Sequence, residues 1–185
     1  MRIVGGKYRG KTIKVPSHVG TRPTADRARE TIFNILLHNP AFGPEILINK
    51  AVLDVFAGTG ALGLEAFSRG AKYVTFIENE REVVALLKSN IKAFNLPESS
   101  ILVDDACHLD TRPLVPFELI FLDPPYHQGF LLPSLEKLFT HGWLAKEAVI
   151  IIEMAKEESL LLPPFLSLLI ERISGAAKVL FCRVS

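Results

Sequence analysis

From Lys50 onward the chain alternates short apolar runs with amphipathic stretches, and this rhythm constrains the fold more than any single residue does. An apolar strand to Phe56 meets a glycine turn, then come a helix from about Ala61 to Arg69, a strand from Tyr73 to Glu78 and a helix from Arg81 to Phe94. Strands around Ile101 to Val103 and from Glu118 to Leu122 follow, then a helix around Leu131 to Phe139 and a strand from Ala148 to Glu153. Such alternation calls for an α/β fold with a parallel sheet covered by helices on both faces. The last twenty residues, Leu166 to Ser185, hold two apolar stretches joined at Ser174-Gly175, expected to close the sheet as an antiparallel hairpin. Ahead of the sheet, Arg2 to Gly5 and Thr12 to Val15 flank a glycine-rich turn and read as a short β extension. Thr24 is placed to cap a helix with Ala25, Ala28, Ile32, Ile35 and Leu36 on one face, ending near Asn39-Pro40. The expected organisation is one domain over 1–185, with a basic extension over 1–40 and a Rossmann-like core over 41–185.

Charge is unevenly distributed in a way that points to a partner. The 185 residues carry a formal net charge of only +1, yet residues 1–29 hold eight Lys or Arg against Asp26 alone. A polyanion fits a basic segment of this kind, because spaced cations that neutralise phosphates bind nucleic acid through counterion release. The apolar stretches Ala148 to Ile152 and Leu160 to Ile170 are too short to span a bilayer, and Pro163-Pro164 breaks the second. Cys107 and Cys182 offer neither a disulfide framework nor metal-ligand spacing. A cytoplasmic, metal-free monomer is expected.

The turn after the first core strand reads Asp54-Val55-Phe56-Ala57-Gly58-Thr59-Gly60-Ala61-Leu62-Gly63, a Gly-x-Gly-x-x-Gly pattern between a strand and a helix. Glycines there let the backbone approach a ligand, and Glu78, twenty positions after Gly58, can receive both hydroxyls of an adenosine ribose. A dinucleotide and S-adenosylmethionine both suit this geometry. Asp54 separates them, since it would repel a pyrophosphate but attract the ammonium of a methionine tail. Asp105 and Ala106 could offer a carboxylate and a backbone N–H to adenine. The cofactor set is therefore Asp54, Phe56, Ala57, Gly58, Thr59, Gly60, Glu78, Asp105 and Ala106.

Asp123-Pro124-Pro125-Tyr126 ends the apolar run from Phe117 to Leu122. Two prolines in succession leave backbone carbonyls unopposed, so with Asp123 they form an acceptor-lined edge for a planar amino group. The Tyr126 ring could stack on a heterocycle, as proteins hold an extruded base. His127 reads as a hydrogen-bonding loop residue beside the motif, and Trp143 as a loop residue packed on the core.

Asp54 to Gly60, Glu78, Asp105 and Asp123 to Tyr126, in this order, resemble a class I S-adenosylmethionine-dependent amino-methyltransferase. The resemblance narrows with Met1-Arg2-Ile3-Val4-Gly5-Gly6, Arg22-Pro23-Thr24-Ala25-Asp26-Arg27-Ala28-Arg29-Glu30 and Ala61-Leu62-Gly63-Leu64-Glu65-Ala66. Together these closely resemble the RsmD family of 16S ribosomal RNA guanine-N2 methyltransferases, over nearly the whole chain. One departure lies near the end, where Arg172-Ile173-Ser174-Gly175 stands in place of an Arg-aromatic-Gly pattern. The resemblance implies a seven-stranded methyltransferase sheet, S-adenosylmethionine as cofactor, and methylation of a guanine N2 in the small ribosomal subunit. It implies catalytic roles for Asp123, Pro124, Pro125 and Tyr126. Arg22, Thr24, Arg27 and Arg29 match its motif beside the pocket and, with Arg2, Lys7 and Arg9, form the expected RNA-binding set. An Asp26–Arg29 ion pair that fixes the extension on the core is the competing reading of that motif. Methylation of an adenine or cytosine amine in DNA, a non-catalytic RNA-binding assembly role and nicotinamide redox chemistry are the alternatives.

Overall fold

The computed structural model describes residues 1–16, 23–43, 45–97 and 100–185, and for 23–25 the backbone alone. Its centre is a seven-stranded sheet whose strands in chain order are β1 Ala51–Val55, β2 Tyr73–Ile77, β3 Ile101–Leu102, β4 Phe117–Leu122, β5 Leu144–Ala155, β6 Leu166–Ser174 and β7 Ala177–Val184. The spatial order is β3-β2-β1-β4-β5-β7-β6. Strands β1 to β5 pair in parallel, and β7 runs antiparallel between β5 and β6, as the expected hairpin requires.

The central strands are apolar on both faces because helices cover both. Val52, Leu119, Phe121, Val149 and Ile151 face one core together with α1 (Pro23–His38), α2 (Ala61–Ser68) and α3 (Arg81–Ala93). Leu53, Val55, Ile120, Leu122, Ile150 and Ile152 face the other, under α4 (Leu131–Thr140). Eight residues are too few for a stable isolated helix, so α2 depends on burial. Leu64 and Ala66 are fully buried, and a buried Leu contributes about 1.5–3 kcal/mol over an exposed one.

Several boundaries differ from expectation for local reasons. Helix α1 starts at Pro23, so Thr24 lies inside it rather than capping it; a proline suits the first turn, where its missing N–H has no partner to lose. Strand β5 begins at Leu144, four residues before the apolar run, and pairs with Phe117 across a register shift in β4. The N-terminal extension is less regular than a hairpin, with one antiparallel bridge between Arg2 and Thr12. Ile3 and Ile13 bury it against the core.

Candidate active site

The site lies where β1, β4 and β5 end side by side. In register, Val55 pairs with Leu122 and Leu122 with Ile152. The next rung therefore places Phe56 and Asp123, just past the ends of β1 and β4, in a row with Glu153 of β5. Because side chains alternate along a strand, Asp123 and Glu153 turn to the face that carries Asp54 and α1. There a cavity of about 220 Å³ is lined by Asp54, Phe56, Ala57, Gly58, Thr59, Asp123 and Glu153, closed on one side by Met1, Ala28, Arg29 and Ile32.

The glycine turn is tied down on both sides. Gly58 N–H donates to Glu78 Oε2 (2.9 Å), and Gly63 N–H donates to Asp54 Oδ2 (2.8 Å). Gly60 adopts φ +79°, and a Cβ there would stand 2.6 Å from Leu87, so both conformation and space favour glycine. Asn90, buried on α3, donates to the carbonyls of Thr59 and Lys14 and accepts from Lys14 N–H. The sequence reading missed this link between the turn and the N-terminal extension.

A second, adjoining cavity of about 350 Å³ is lined by Phe56, Gly58, Glu78, Asn79, Asp105, Pro125 and Phe130. Phe56 and Phe130 stack at 5.9 Å between centroids, which supplies apolar surface of the kind a flat heterocycle needs. Phe130 also escaped the sequence reading, since nothing local distinguishes it from a helix-entry residue. Glu78 Oε1 accepts from the N–H groups of Asn79 and Glu80, leaving the carboxylate oriented at the end of β2. Asp105 accepts from Cys107 N–H and meets His108 Nδ1 at 2.9 Å. That bond to His108 holds its carboxyl below the usual carboxylate range. Ala106 is buried.

Electrostatics are concentrated at the floor of the first cavity. Burial pushes Asp54 up to about 7, with the neighbouring Glu78 adding to the shift against the Gly63 hydrogen bond. Asp123 is also raised well above the ordinary range, by desolvation first and then by Glu153 and Asp54. Acids that resist ionising in each other's company fit a cationic ligand, whose charge would relieve them. The residues present thus fit S-adenosylmethionine, whose tail ammonium and sulfonium are both cationic, and disfavour a pyrophosphate.

That fit has a pH consequence. In the free protein Asp54 keeps its proton below about pH 7, and a neighbouring cation favours the ionised form, so binding must release the proton there. Affinity for S-adenosylmethionine is expected to fall by up to about tenfold per pH unit below 7 and to level off above it. Calorimetric titrations between pH 5.5 and 8 should show this slope. Asp54→Asn should flatten it.

At the motif after β4, Pro124 is buried and Pro125 exposed. The Tyr126 ring is exposed, and its hydroxyl donates to Glu153 Oε1 at 2.8 Å. Burial and Glu153 together raise the Tyr126 pKa, so the hydroxyl stays a donor. His127 N–H donates to Glu158, and Trp143 is buried with its indole N–H on Thr111 O; both match their expected structural roles.

The basic residues divide. Arg2, Lys7, Arg9 and Arg27 are exposed. Arg22 and the Thr24 side chain lie outside the described residues. Arg29 is a correction: only 4% exposed, it cannot present its charge to an RNA. Its guanidinium bonds Asp26 at 2.8 Å and the Arg2 carbonyl, and its Nε lies 3.5 Å from Glu65. The ion-pair reading of Asp26 and Arg29 therefore holds. Glu65, fully buried, accepts from the N–H groups of Val4 and Gly5 and pairs with Arg69 at 2.7 Å. Among the described residues no His, Cys, Asp or Glu cluster could hold a metal, and no helix is long and apolar enough to cross a membrane.

Comparison with known proteins bears on this geometry. A family model described as "Conserved hypothetical protein 95" matches residues 1–183. The Ribosomal RNA small subunit methyltransferase D of Escherichia coli K12 is 38% identical over 176 residues, covering 95% of this chain and 85% of that protein. The protein of the same name from Haemophilus influenzae is 35% identical over 179 residues, covering 95% and 89%. A solved Escherichia coli structure described as a methyltransferase, yhhF, superposes with a TM-score of 0.85 at 34% identity, covering 100% of this chain and 97% of that one.

Proposed function

This chain belongs to the RsmD family, and from that premise we propose that it methylates small-subunit ribosomal RNA with S-adenosylmethionine, at the exocyclic N2 of a guanine. The observation that carries the reading is the crowding of Asp54, Asp123 and Glu153 in one cavity between the glycine turn and the Asp-Pro-Pro-Tyr edge. Bound there, S-adenosylmethionine supplies an electrophilic methyl group on a cationic sulfur. The remaining work falls to the protein's own residues. Asp54 and the turn over 56–60 would hold the methionine tail, while Glu78, Asp105 and the Phe56–Phe130 pair would hold the nucleoside.

Guanine N2 is a weak nucleophile because its lone pair is delocalised into the ring. Asp123 and the Pro124 carbonyl would accept its two hydrogens, turn the lone pair out of conjugation and offset the positive charge that grows on nitrogen. Tyr126, anchored by Glu153, would stack on the base. Asp123, already raised toward holding a proton, is suited to take the one released. The exposed Arg2, Lys7, Arg9 and Arg27 would meet the RNA backbone.

The test is methyl transfer from labelled S-adenosylmethionine to unmodified small subunits, free 16S RNA and duplex DNA, with label mapped by digestion and mass spectrometry. Label on guanine N2 is the expected result; label on adenine or cytosine, or in DNA alone, would overturn the reading. The basic extension predicts salt dependence as well. Lys7→Ala with Arg9→Ala should weaken RNA binding and reduce the slope of log affinity against log salt by about 1 per lost phosphate contact. Filter binding between 50 and 300 mM salt would read it, and an unchanged slope would remove these residues from the interface.

A further inference from the structure

We propose that Glu153 selects guanine, by accepting the N1–H that lies beside the N2 amine held at Asp123. The assignment rests on the guanine-N2 reading above and deepens it.

Position comes first. Leu122 and Ile152 are partners in the parallel β4–β5 ladder, so Asp123 and Glu153 follow on the next rung and point to the same face. Neighbouring strands stand ~4.8 Å apart, which brings two carboxyl groups within reach of adjacent polar atoms on one base edge. Both residues line the same cavity. The strand order also sets a direction: β1 carries the cofactor turn, β4 the amine acceptors, and β5, one strand farther from the cofactor, carries Glu153. A base whose amine sits over Asp123 with its methyl acceptor site toward β1 extends its ring edge toward β5.

Hydrogen-bond chemistry then distinguishes the bases. The three nucleobases with an exocyclic amine differ in the ring atom next to it. Guanine presents the N1–H donor beside N2, whereas adenine presents the N1 lone pair beside N6 and cytosine the N3 lone pair beside N4. A carboxylate is an acceptor only. Placed next to the amine site, it completes a hydrogen bond with guanine and sets oxygen against a lone pair in the other two, an attractive and a repulsive element in one side chain. The Tyr126 hydroxyl occupies Glu153 Oε1, which fixes the carboxylate and leaves Oε2 for the base. A purely structural role, in which Glu153 only anchors the Tyr126 ring, is the rival explanation.

Diaminopurine separates the two. 2,6-Diaminopurine keeps the 2-amine of guanine but carries a lone pair at N1. Small subunits are reconstituted on 16S RNA that bears either guanine or 2,6-diaminopurine at the position labelled by the wild-type protein, and kcat/KM is measured on each. Wild type should prefer guanine by about 10- to 100-fold, the discrimination typical of a matched base-edge contact. Glu153→Gln, whose amide can donate to N1, should shrink that preference at least tenfold or reverse it. Tyr126→Phe should slow both RNAs alike and leave the preference standing. A cooperative thermal melt near that of wild type verifies that each variant is folded. A Glu153→Gln protein that slows equally on both RNAs, or keeps the wild-type ratio, overturns the assignment. A wild-type protein that places no label on guanine fails earlier, at the function itself, so the two failures cannot be confused.

Discussion

Replacing Asp123 with alanine is expected to lower methyl transfer by about 10²–10³-fold in kcat, the range for removing one preorganised polar contact from a site of developing charge. The cofactor turn itself is held by Asp54 and Glu78 through separate hydrogen bonds, so the loss in kcat should exceed any change in S-adenosylmethionine binding. Asp123→Asn keeps one carbonyl acceptor and should lose less. Stability should move the other way. Burial, Glu153 and Asp54 raise the Asp123 pKa in the folded state, so its carboxyl contributes most favourably at acid pH and that contribution is lost as pH rises above the ordinary carboxylate value. At pH 8 the alanine variant should therefore melt no lower than wild type, and its relative stability should increase from pH 5 to pH 8. Single-turnover transfer and thermal melts at the two pH values read both effects. Wild-type transfer by Asp123→Ala would remove the acceptor mechanism.

Glu65→Ala is expected to be the most destabilising single change, costing about 3–5 kcal/mol, the usual result of stripping one partner from a buried charge network. The carboxylate is fully buried and serves four groups at once: the N–H groups of Val4 and Gly5, and the guanidiniums of Arg69 and Arg29. Its loss leaves the Val4 and Gly5 N–H groups and the Arg69 Nε without that acceptor, and Arg29 with Asp26 and the Arg2 carbonyl alone. For a chain of this length the melting temperature should fall by roughly 10 °C. The N-terminal extension should become the first segment cleaved in limited proteolysis, since its main chain is fastened there. Glu65→Gln retains one acceptor and should fall between. A melting temperature within 2 °C of wild type in the alanine protein would show that the network carries little.

Much of this was readable in the amino-acid sequence, and what was not has a common cause. The strand–helix rhythm, the glycine turn and the Asp-Pro-Pro-Tyr edge are local patterns whose meaning follows from periodicity and spacing. Arg29 was not readable in the same way. Its pairing with Asp26 one turn away was readable, but its burial was not, because its other partners, the Arg2 carbonyl and Glu65, lie 27 and 36 positions away. Glu153 ends an apolar strand with nothing beside it in sequence to mark it; only the β4–β5 register sets it next to Asp123. Phe130 becomes part of a binding surface through Phe56, across the sheet's edge. The start of β5 was hidden because Lys146 and Glu147 are polar and fall in the register shift between the Phe117–Leu144 and Leu119–Val149 pairs, Glu147 at φ +60°.

Strand β6 runs in the same direction as β5 and so carries the chain back to the working rim, from which β7 departs in reverse. Ala155 pairs with Ala177 and Glu153 with Val179, so the bend after Ser174 stands over the same end of the sheet as the reactive groups. Arg172, Ile173 and Ser174 share a crevice there with Ala28 and Glu153. The end of β6, at the far edge of the sheet, thus bounds the entrance beside Glu153.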